Sequence, residues 1–258
     1  MKTILLTGAT DGIGLETAKD LAKQGHHLIL HGRSDEKLES LKRIILDINK
    51  NLKIDLIKAD LSIISDVHQM VEDVKALNTK IDIIINNAGV FITDNPITVD
   101  QIDIRFAVNT ISPYILTMKL IPLLNQDARI VNVSSAAQTD INLNSFELRN
   151  NASQAYAESK LAIIMWSMEL TNETGLNVIS VNPKSYLGSK MVKEAYGKEG
   201  YDLKLGSDIL IRAALSDEFK DAHGKYYDND YCKFASPHSF ALVKSNRETL
   251  IQALKKYI

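Results

Sequence analysis

Tyr156-Ala157-Glu158-Ser159-Lys160 sets a phenol and an ammonium four residues apart. On a helix the two share a face, one turn from each other. A free tyrosine has a pKa near ~10 and is a weak base at neutral pH. A cation beside it favours the phenolate, which makes a usable acid or base for a proton on a carbonyl oxygen. In a chain with nine tyrosines such a pair also arises on an exposed helix with no chemistry attached. The rest of the sequence must decide. Ile130-Val131-Asn132-Val133-Ser134-Ser135 is an apolar run that ends in two hydroxyls. Each serine has two readings, a turn or helix cap and a hydrogen-bond partner for a substrate oxygen. Asn109 interrupts the apolar stretch Phe106-Ala107-Val108-Asn109-Thr110-Ile111. A buried asparagine in a helix must be hydrogen-bonded, so it is either structural or organises a water beside Lys160.

A second set of residues suits a phosphate. The first strand-like run ends in Thr7-Gly8-Ala9-Thr10-Asp11-Gly12-Ile13-Gly14, and an amphipathic segment follows. Glycines let the backbone turn tightly and let a pyrophosphate come close, while a helix N-terminus adds free N–H groups and a positive dipole end. The spacing is Gly-x-x-x-Gly-x-Gly rather than the commoner Gly-x-Gly-x-x-Gly. Candidate cofactor contacts here are Gly8, Thr10, Asp11, Gly12, Ile13 and Gly14. The next strand ends Leu28-Ile29-Leu30-His31-Gly32-Arg33-Ser34, with no acid to take a ribose 2′-hydroxyl. A guanidinium suits a 2′-phosphate, so Arg33 points to NADP(H) as the preferred cofactor, with NAD(H) as the other. The competing reading makes Arg33 a surface residue before a helix capped by Ser34. Asp11 would oppose a 2′-phosphate by its charge.

These groups need elements to position them. Strand-like runs at 2–7, 27–31, 53–58, 81–86, 129–134 and 177–182 alternate with helical spacing at 13–24, 35–49, 64–77, 99–124 and 154–174. That rhythm implies βαβ units and a parallel sheet. Ile81-Asp82-Ile83-Ile84-Ile85 is apolar nearly throughout, as in a strand covered on both faces. After Pro183 come a looser region to 206, a helical stretch at 207–215, a short strand at 225–227 and a last helix at 246–257. Ligands of open α/β sheets bind at the strands' carboxyl ends. The glycine turn, Asn86-Asn87-Ala88-Gly89 and Ser134-Ser135 all fall there. A length of 258 residues is roughly 1.7 domains by size alone. The motifs from Gly8 to Lys160 serve one cleft, so no boundary falls among them. The expectation is a single α/β domain over 1–258, a doubly wound parallel sheet of six to seven strands.

Composition excludes other classes. The chain is 45% hydrophobic and 24% charged, as globular proteins are, with a net charge of −2 and no basic stripe for a nucleic acid. One cysteine makes no intrachain disulfide, and the six histidines show no metal-ligand spacing, so no catalytic metal is expected. The first apolar run is too short for a signal peptide. No stretch reaches the ~18 apolar residues of a membrane helix. These features lead to the expectation of a cytoplasmic protein that binds neither membrane nor nucleic acid.

In family order, Thr7-Gly8-x-x-x-Gly12-Ile13-Gly14, Asp60-Leu61, Asn86-Asn87-Ala88-Gly89, Asn109, Ser134-Ser135 and Tyr156-x-x-x-Lys160 resemble the short-chain dehydrogenase/reductase family across nearly the whole chain. The resemblance implies a three-layer Rossmann-type domain, NAD(P)(H), and hydride transfer between the nicotinamide and a small carbonyl or alcohol substrate. It implies Tyr156 as acid/base, Ser135 on the substrate oxygen, and Lys160 on Tyr156 and the nicotinamide ribose. It implies Asn109 in a proton relay through water. Asp60 and Leu61 would meet the adenine; Asn87, Ala88 and Gly89 would line the cofactor. A homodimer or homotetramer through helices 99–124 and 154–174 is a further family expectation, although Ile115, Met118, Ile164, Met165 and Met168 suit packing on the sheet as well.

The stretch Asp140–Leu148 lengthens the gap between Ser135 and Tyr156. It is similar to the branch of retinol dehydrogenases and WW-domain-containing oxidoreductases, which implies NADP and an insert over the mouth of the active site. One departure stands out. The family's Pro-Gly after the sixth strand is Pro183-Lys184 here, and Gly188 or Ser189 must stand in for the threonine that touches the carboxamide. If that position needs a positive φ, a lysine there is strained. Ser189–Gly197 reads as an amphipathic lid, within a substrate loop at 183–206. Its Met191, Val192 and Tyr196 would face a substrate or serve as core. Two other readings compete. A dinucleotide-binding sensor without turnover would be expected to lack one of Asn109, Ser135, Tyr156 and Lys160, and all four are present here. A nucleotide-sugar epimerase or dehydratase would need a longer C-terminal substrate domain.

Overall fold

The computed structural model describes residues 1–143 and 145–258, the side chain of Tyr196 excepted. Asn144 of the insert and the Tyr196 side chain of the lid therefore lie outside the described residues.

Short apolar runs become strands, and the amphipathic segments between them cross over as helices. The order is β1 (Thr3–Leu6), α1 (Gly12–Lys23), β2 (His27–Gly32), α2 (Asp35–Ile48), β3 (Ile54–Lys58), α3 (Ile64–Ala76) and β4 (Ile81–Asn86). Next come α4 (Ile104–Phe106), α5 (Ser112–Leu120), β5 (Leu124–Val133), α6 (Ala152–Thr174) and β6 (Asn177–Asn182). The chain closes with α7 (Lys190–Tyr196), α8 (Lys204–Leu215), β7 (Tyr226–Asp228), β8 (Lys233–Ala235), α9 (Ser239–Leu242) and α10 (Lys244–Leu254). The strands form one sheet in the order β3-β2-β1-β4-β5-β6-β7-β8. Neighbours from β3 to β7 are parallel, so their carboxyl ends share one edge.

The sheet has eight strands, not six or seven. The extra one, β8, turns back antiparallel on β7. It is three residues long with two of them exposed, and so carries no apolar pattern to betray it. The helix expected over 99–124 is shorter and irregular, running without a gap from Ile104 to Leu120 with a π turn inside it. Residues 99–103 are outside it. Pro113 has no N–H to continue the ladder, and the turn before it widens to a π turn over Ala107–Ile111, where Ser112 N–H bonds Ala107 O.

Two apolar layers flank the sheet. On one face, Leu6, Leu28, Ile83 and Val131 pack with Leu21 of α1 and Leu210 of α8. On the other, Leu5, Ile84 and Ile130 pack with Met70 of α3, Ile115 of α5 and Met165 of α6. Ile115, Ile164 and Met165 are fully buried inside the chain, and Met118 and Met168 partly so. Helix α10 packs over α6 from outside, fastened by the buried Arg247–Glu169 pair at 3.0 Å. Among the described residues no helix is long and apolar enough to cross a membrane.

Candidate active site

The carboxyl ends of β1, β2, β4, β5 and β6 open onto one cleft of about 1060 Å³. A dinucleotide and a small substrate suit that size. Every cofactor position expected from the sequence lines it: Gly8, Thr10, Asp11, Gly12, Ile13, Gly14, Arg33, Asp60, Leu61, Asn87, Ala88, Gly89, Tyr156, Lys160, Pro183 and Ser189. Ser135 lines it too.

The glycine turn is shaped by sterics. Gly8 has φ 64°, and a Cβ on Gly14 would lie 2.1 Å from Gly8 O. Asp11 caps α1 by accepting from Gly12 N–H at 2.7 Å. The N–H groups of Ile13 and Gly14 have no acceptor among the described residues, which fits a phosphate at the helix N-terminus. Thr7, which the motif contains but to which the sequence assigns no role, stitches the turn to β4: its hydroxyl accepts from Asn87 N–H and Ala88 N–H. The Asn87 amide donates to Thr7 O at 2.9 Å and Gly8 O at 3.1 Å. Asn87 therefore shapes the turn as well as lining the cleft.

His31 was also missed. Its Nδ1 accepts from Gly8 N–H at 3.1 Å and its Nε2 meets Ala59 O at 3.1 Å. One ring nitrogen accepts and the other donates, so the ring is neutral. Burial pushes its pKa down to about 4. At the rim, Ser34 caps α2 as expected. Arg33 is exposed and has no ion pair among the described residues. Lys37, one turn into α2, lies 3.7 Å from Asp11 and faces the same cleft. It offsets the charge by which Asp11 would repel a phosphate.

Helix α6 carries Tyr156 and Lys160. The Lys160 ammonium is buried, donates to Val133 O at 2.8 Å, and lies 5.7 Å from the Tyr156 ring centroid. Burial lowers its pKa to about 7. Val133 O is its one acceptor among the described residues, which leaves two N–H bonds for ligand hydroxyls. The glycine cradle and this under-satisfied cation together fit a dinucleotide.

Both serines border the cleft, and they differ in burial and in what their hydroxyls bond. Ser134 is buried and donates to Lys160 O at 2.8 Å. Ser135 is half-buried in the cleft wall, its hydroxyl accepting from Ala137 N–H at 3.1 Å. Asn109 sits behind the wall. Its side chain accepts from Val90 N–H and donates to Val90 O and to the Ser159 hydroxyl.

The insert does not lie over the mouth. Ile141 and Phe146 are buried in the core, and none of the described residues of 140–148 lines the cleft. Their apolar side chains draw the segment inward, and Arg149 pins it to α6 through Glu158 at 3.0 Å. The insert still reaches the site indirectly. Arg149 N–H bonds Asp103; Asp103 pairs with Arg105; Arg105 Nε donates to Phe91 O at 3.0 Å. Phe91 in turn stacks on Tyr156, with ring centroids 4.6 Å apart. Besides Ser135 and Tyr156 the wall carries apolar Phe91, Ile92, Ile104, Val108, Met191 and Val192, together with polar Thr93, Asp94, Lys184, Ser185, Lys190 and Glu194. Ser189 caps α7, accepting from Val192 N–H.

A parallel sheet with a glycine turn after β1 and a Tyr–Lys pair beside the β5 end is an NAD(P)-dependent oxidoreductase of Rossmann type. Residues 2–199 match the short chain dehydrogenase family, and the chain belongs to it. It is 32% identical to short-chain dehydrogenase TIC 32 A, chloroplastic, of Brassica napus, over 93% of this chain and 83% of that protein. It is 28% identical to human retinol dehydrogenase 13 over 92% of this chain and 79% of that one. The fold resembles that of a short chain dehydrogenase from Burkholderia cenocepacia solved in complex with NADP: TM-score 0.72, 23% identity, covering 88% of this chain and 95% of the other. The chain is thus an enzyme acting on CH–OH or C=O groups.

Proposed function

We propose that this enzyme uses NADP(H) and interconverts an uncharged, apolar carbonyl compound and its alcohol. The observation that carries the reading is the buried Lys160 beside the Tyr156 ring, on the cleft wall that also holds Ser135. When bound, the cofactor supplies or takes the hydride. Tyr156 moves a proton at the substrate oxygen. Lys160 favours the phenolate of Tyr156 and keeps N–H bonds for the ribose hydroxyls. Ser135 and Tyr156 hydrogen-bond the oxygen as charge grows on it, an interaction stronger in the transition state than before it. Asn109 holds the backbone through which a relay water would be placed.

Arg33 and Lys37 support the choice of NADP(H), since two cations at the rim suit a 2′-phosphate. The Burkholderia structure, solved with NADP, agrees. The walls of Phe91, Val108 and Met191 favour an apolar substrate, and the α7 segment is read as its lid. A cytoplasmic site of action is part of this proposal and is checked by fractionation.

The test pairs a cofactor titration with a panel of aldehydes, ketones and alcohols. Tyr156→Phe is expected to bind NADPH nearly as the wild type does and to lose turnover by about 10²- to 10⁴-fold, the span of acid/base catalysis. Turnover persisting in that variant overturns the role of Tyr156. Arg33→Ala should weaken NADPH at least tenfold and leave NADH almost unchanged. Equal wild-type affinity for both cofactors overturns the preference. Binding without turnover across the panel would favour a dinucleotide sensor.

A further inference from the structure

The segment after β6 is the strained part of the cleft wall. Lys184 has φ 128° and Tyr186 φ 56°, and no other non-glycine residue of the wall has a positive φ among those described. Such backbone persists only where the surroundings over-determine it.

The surroundings here are the tip of the β7–β8 hairpin. The Asp230 carboxylate accepts from Ser185 N–H at 3.0 Å, the Ser185 hydroxyl at 2.5 Å and the Asn182 amide at 2.9 Å. It also pairs with Lys184 at 3.9 Å. Asn229 N–H donates to Asn182 O at 3.1 Å, and its amide donates to Pro183 O at 2.9 Å. Asp230 itself does not line the cleft. What it holds does. Downstream of Ser185 the chain crosses the cleft: Ser189 Cβ lies 3.8 Å from where a Cβ on Gly12 would stand, and Met191 Cε 3.8 Å from the same point on Gly89.

We propose that Asp230 is a positioning residue that locks the strained Lys184–Tyr186 backbone and thereby sets where Ser189 and Met191 meet a ligand in the cleft. The hairpin that bears it, at the far edge of the sheet, is then part of the cofactor-binding apparatus. This rests on the dinucleotide lying along the cleft, so the test has one arm that needs no cofactor.

The full chain is compared as wild type, Asp230→Ala, Lys184→Gly and the double variant. Without cofactor, amide exchange is measured for the peptide spanning 183–201. Asp230→Ala should speed exchange there at least tenfold, with the strands unaffected. Adding Lys184→Gly, which removes the strain at that position, should return it to within about threefold of wild type. With cofactor, the NADPH Kd and KM should rise at least tenfold in Asp230→Ala, with kcat falling less, and the double variant should recover both. A merely structural Asp230 would lower the melting temperature and leave exchange at 183–201 and KM per folded molecule unchanged; that result overturns the proposal, as does a double variant no better than Asp230→Ala. Should Asp230→Ala not fold, Asp230→Asn replaces it. Asp230→Asn keeps an acceptor and loses the charge, so at least a threefold change, repaired by Lys184→Gly, is expected, and wild-type values overturn. A wild type that binds neither NADPH nor NADH sinks the cofactor reading alone, because the exchange arm still judges the anchor.

Discussion

Two loops leave the carboxyl ends of parallel strands and face each other across the cleft, and they solve the same problem differently. The turn after β1 needs left-handed backbone and places glycines there, with Gly8 at φ 64° and Gly12 at φ 52°. The loop after β6 has left-handed backbone too, but carries it on Lys184 and Tyr186. The first turn needs no anchor to offset strain, since a glycine costs nothing at positive φ; Asp11 caps the helix that follows it, and Asn87 and His31 add bonds from β4 and β2. The second is held by Asp230, 45 residues further on in its bond to Ser185. Loops of the first kind are damaged most directly by a side chain added within them. Loops of the second kind are damaged from a distance and improved from within.

The most severe break of this contrast is Gly14→Ala. Its Cβ would stand 2.1 Å from Gly8 O, backbone against helix, where nothing soft can move. Overpacking costs about 1–3 kcal/mol or more, and a chain of this size loses roughly 2–4 °C per kcal/mol. A drop of several degrees and loss of NADPH binding are expected in a thermal melt with and without cofactor; an unchanged melt would mean the turn is not sterically locked.

The pH response of the same turn is of comparable size but spread over a pH range. His31 is neutral in the fold, with its pKa pushed down to about 4, against about 6.5 unfolded. The unfolded chain therefore takes up that proton first. Stability tied to His31 is complete above about pH 6.5 and is lost as pH falls towards 4, by about 3 kcal/mol in all. Urea midpoints across that window should fall more steeply in wild type than in His31→Asn. Parallel curves would remove His31 from the account.

The smallest effect has the opposite sign. Lys184→Gly gives up a partly exposed ion pair worth less than about 1 kcal/mol and removes backbone strain of about 1–2 kcal/mol. A rise in melting temperature of roughly 2–4 °C is expected. A fall would show that the loop after β6 depends on the lysine side chain more than on its backbone.

Much of the fold is legible in the sequence where apolar runs are bounded by turn residues. The strands at 81–86 and 177–182 were read to the residue, and every cofactor position expected from the motifs lines the cleft. The misses have a common cause. The β8 strand exists only because β7 is beside it. The helix over 99–124 begins only at Ile104 and holds a π turn that the apolar period conceals. The insert's place depends on the burial of Ile141 and Phe146 and on the bond of Arg149 N–H to Asp103, 46 residues back along the chain. His31 looks in sequence like one more strand residue, and only its hydrogen bonds to Gly8 and Ala59 reveal its work.

The sequence by itself determined the class of chemistry: a glycine turn before a helix, a Tyr–Lys pair one helical turn apart, and a strand ending in serines. Each is a local pattern, written in residues within about one turn or one strand of each other. Tertiary structure showed what sets the two serines apart: Ser134 spends its hydroxyl on Lys160 O, while Ser135, the serine the family resemblance names, stays half-buried at the wall. It alone brought Lys37 to Asp11, turned the insert into the core and set Asp230 under the loop after β6. Those outcomes depend on which distant surfaces are brought together when the apolar faces of the sheet are buried, and no spacing along the chain encodes that.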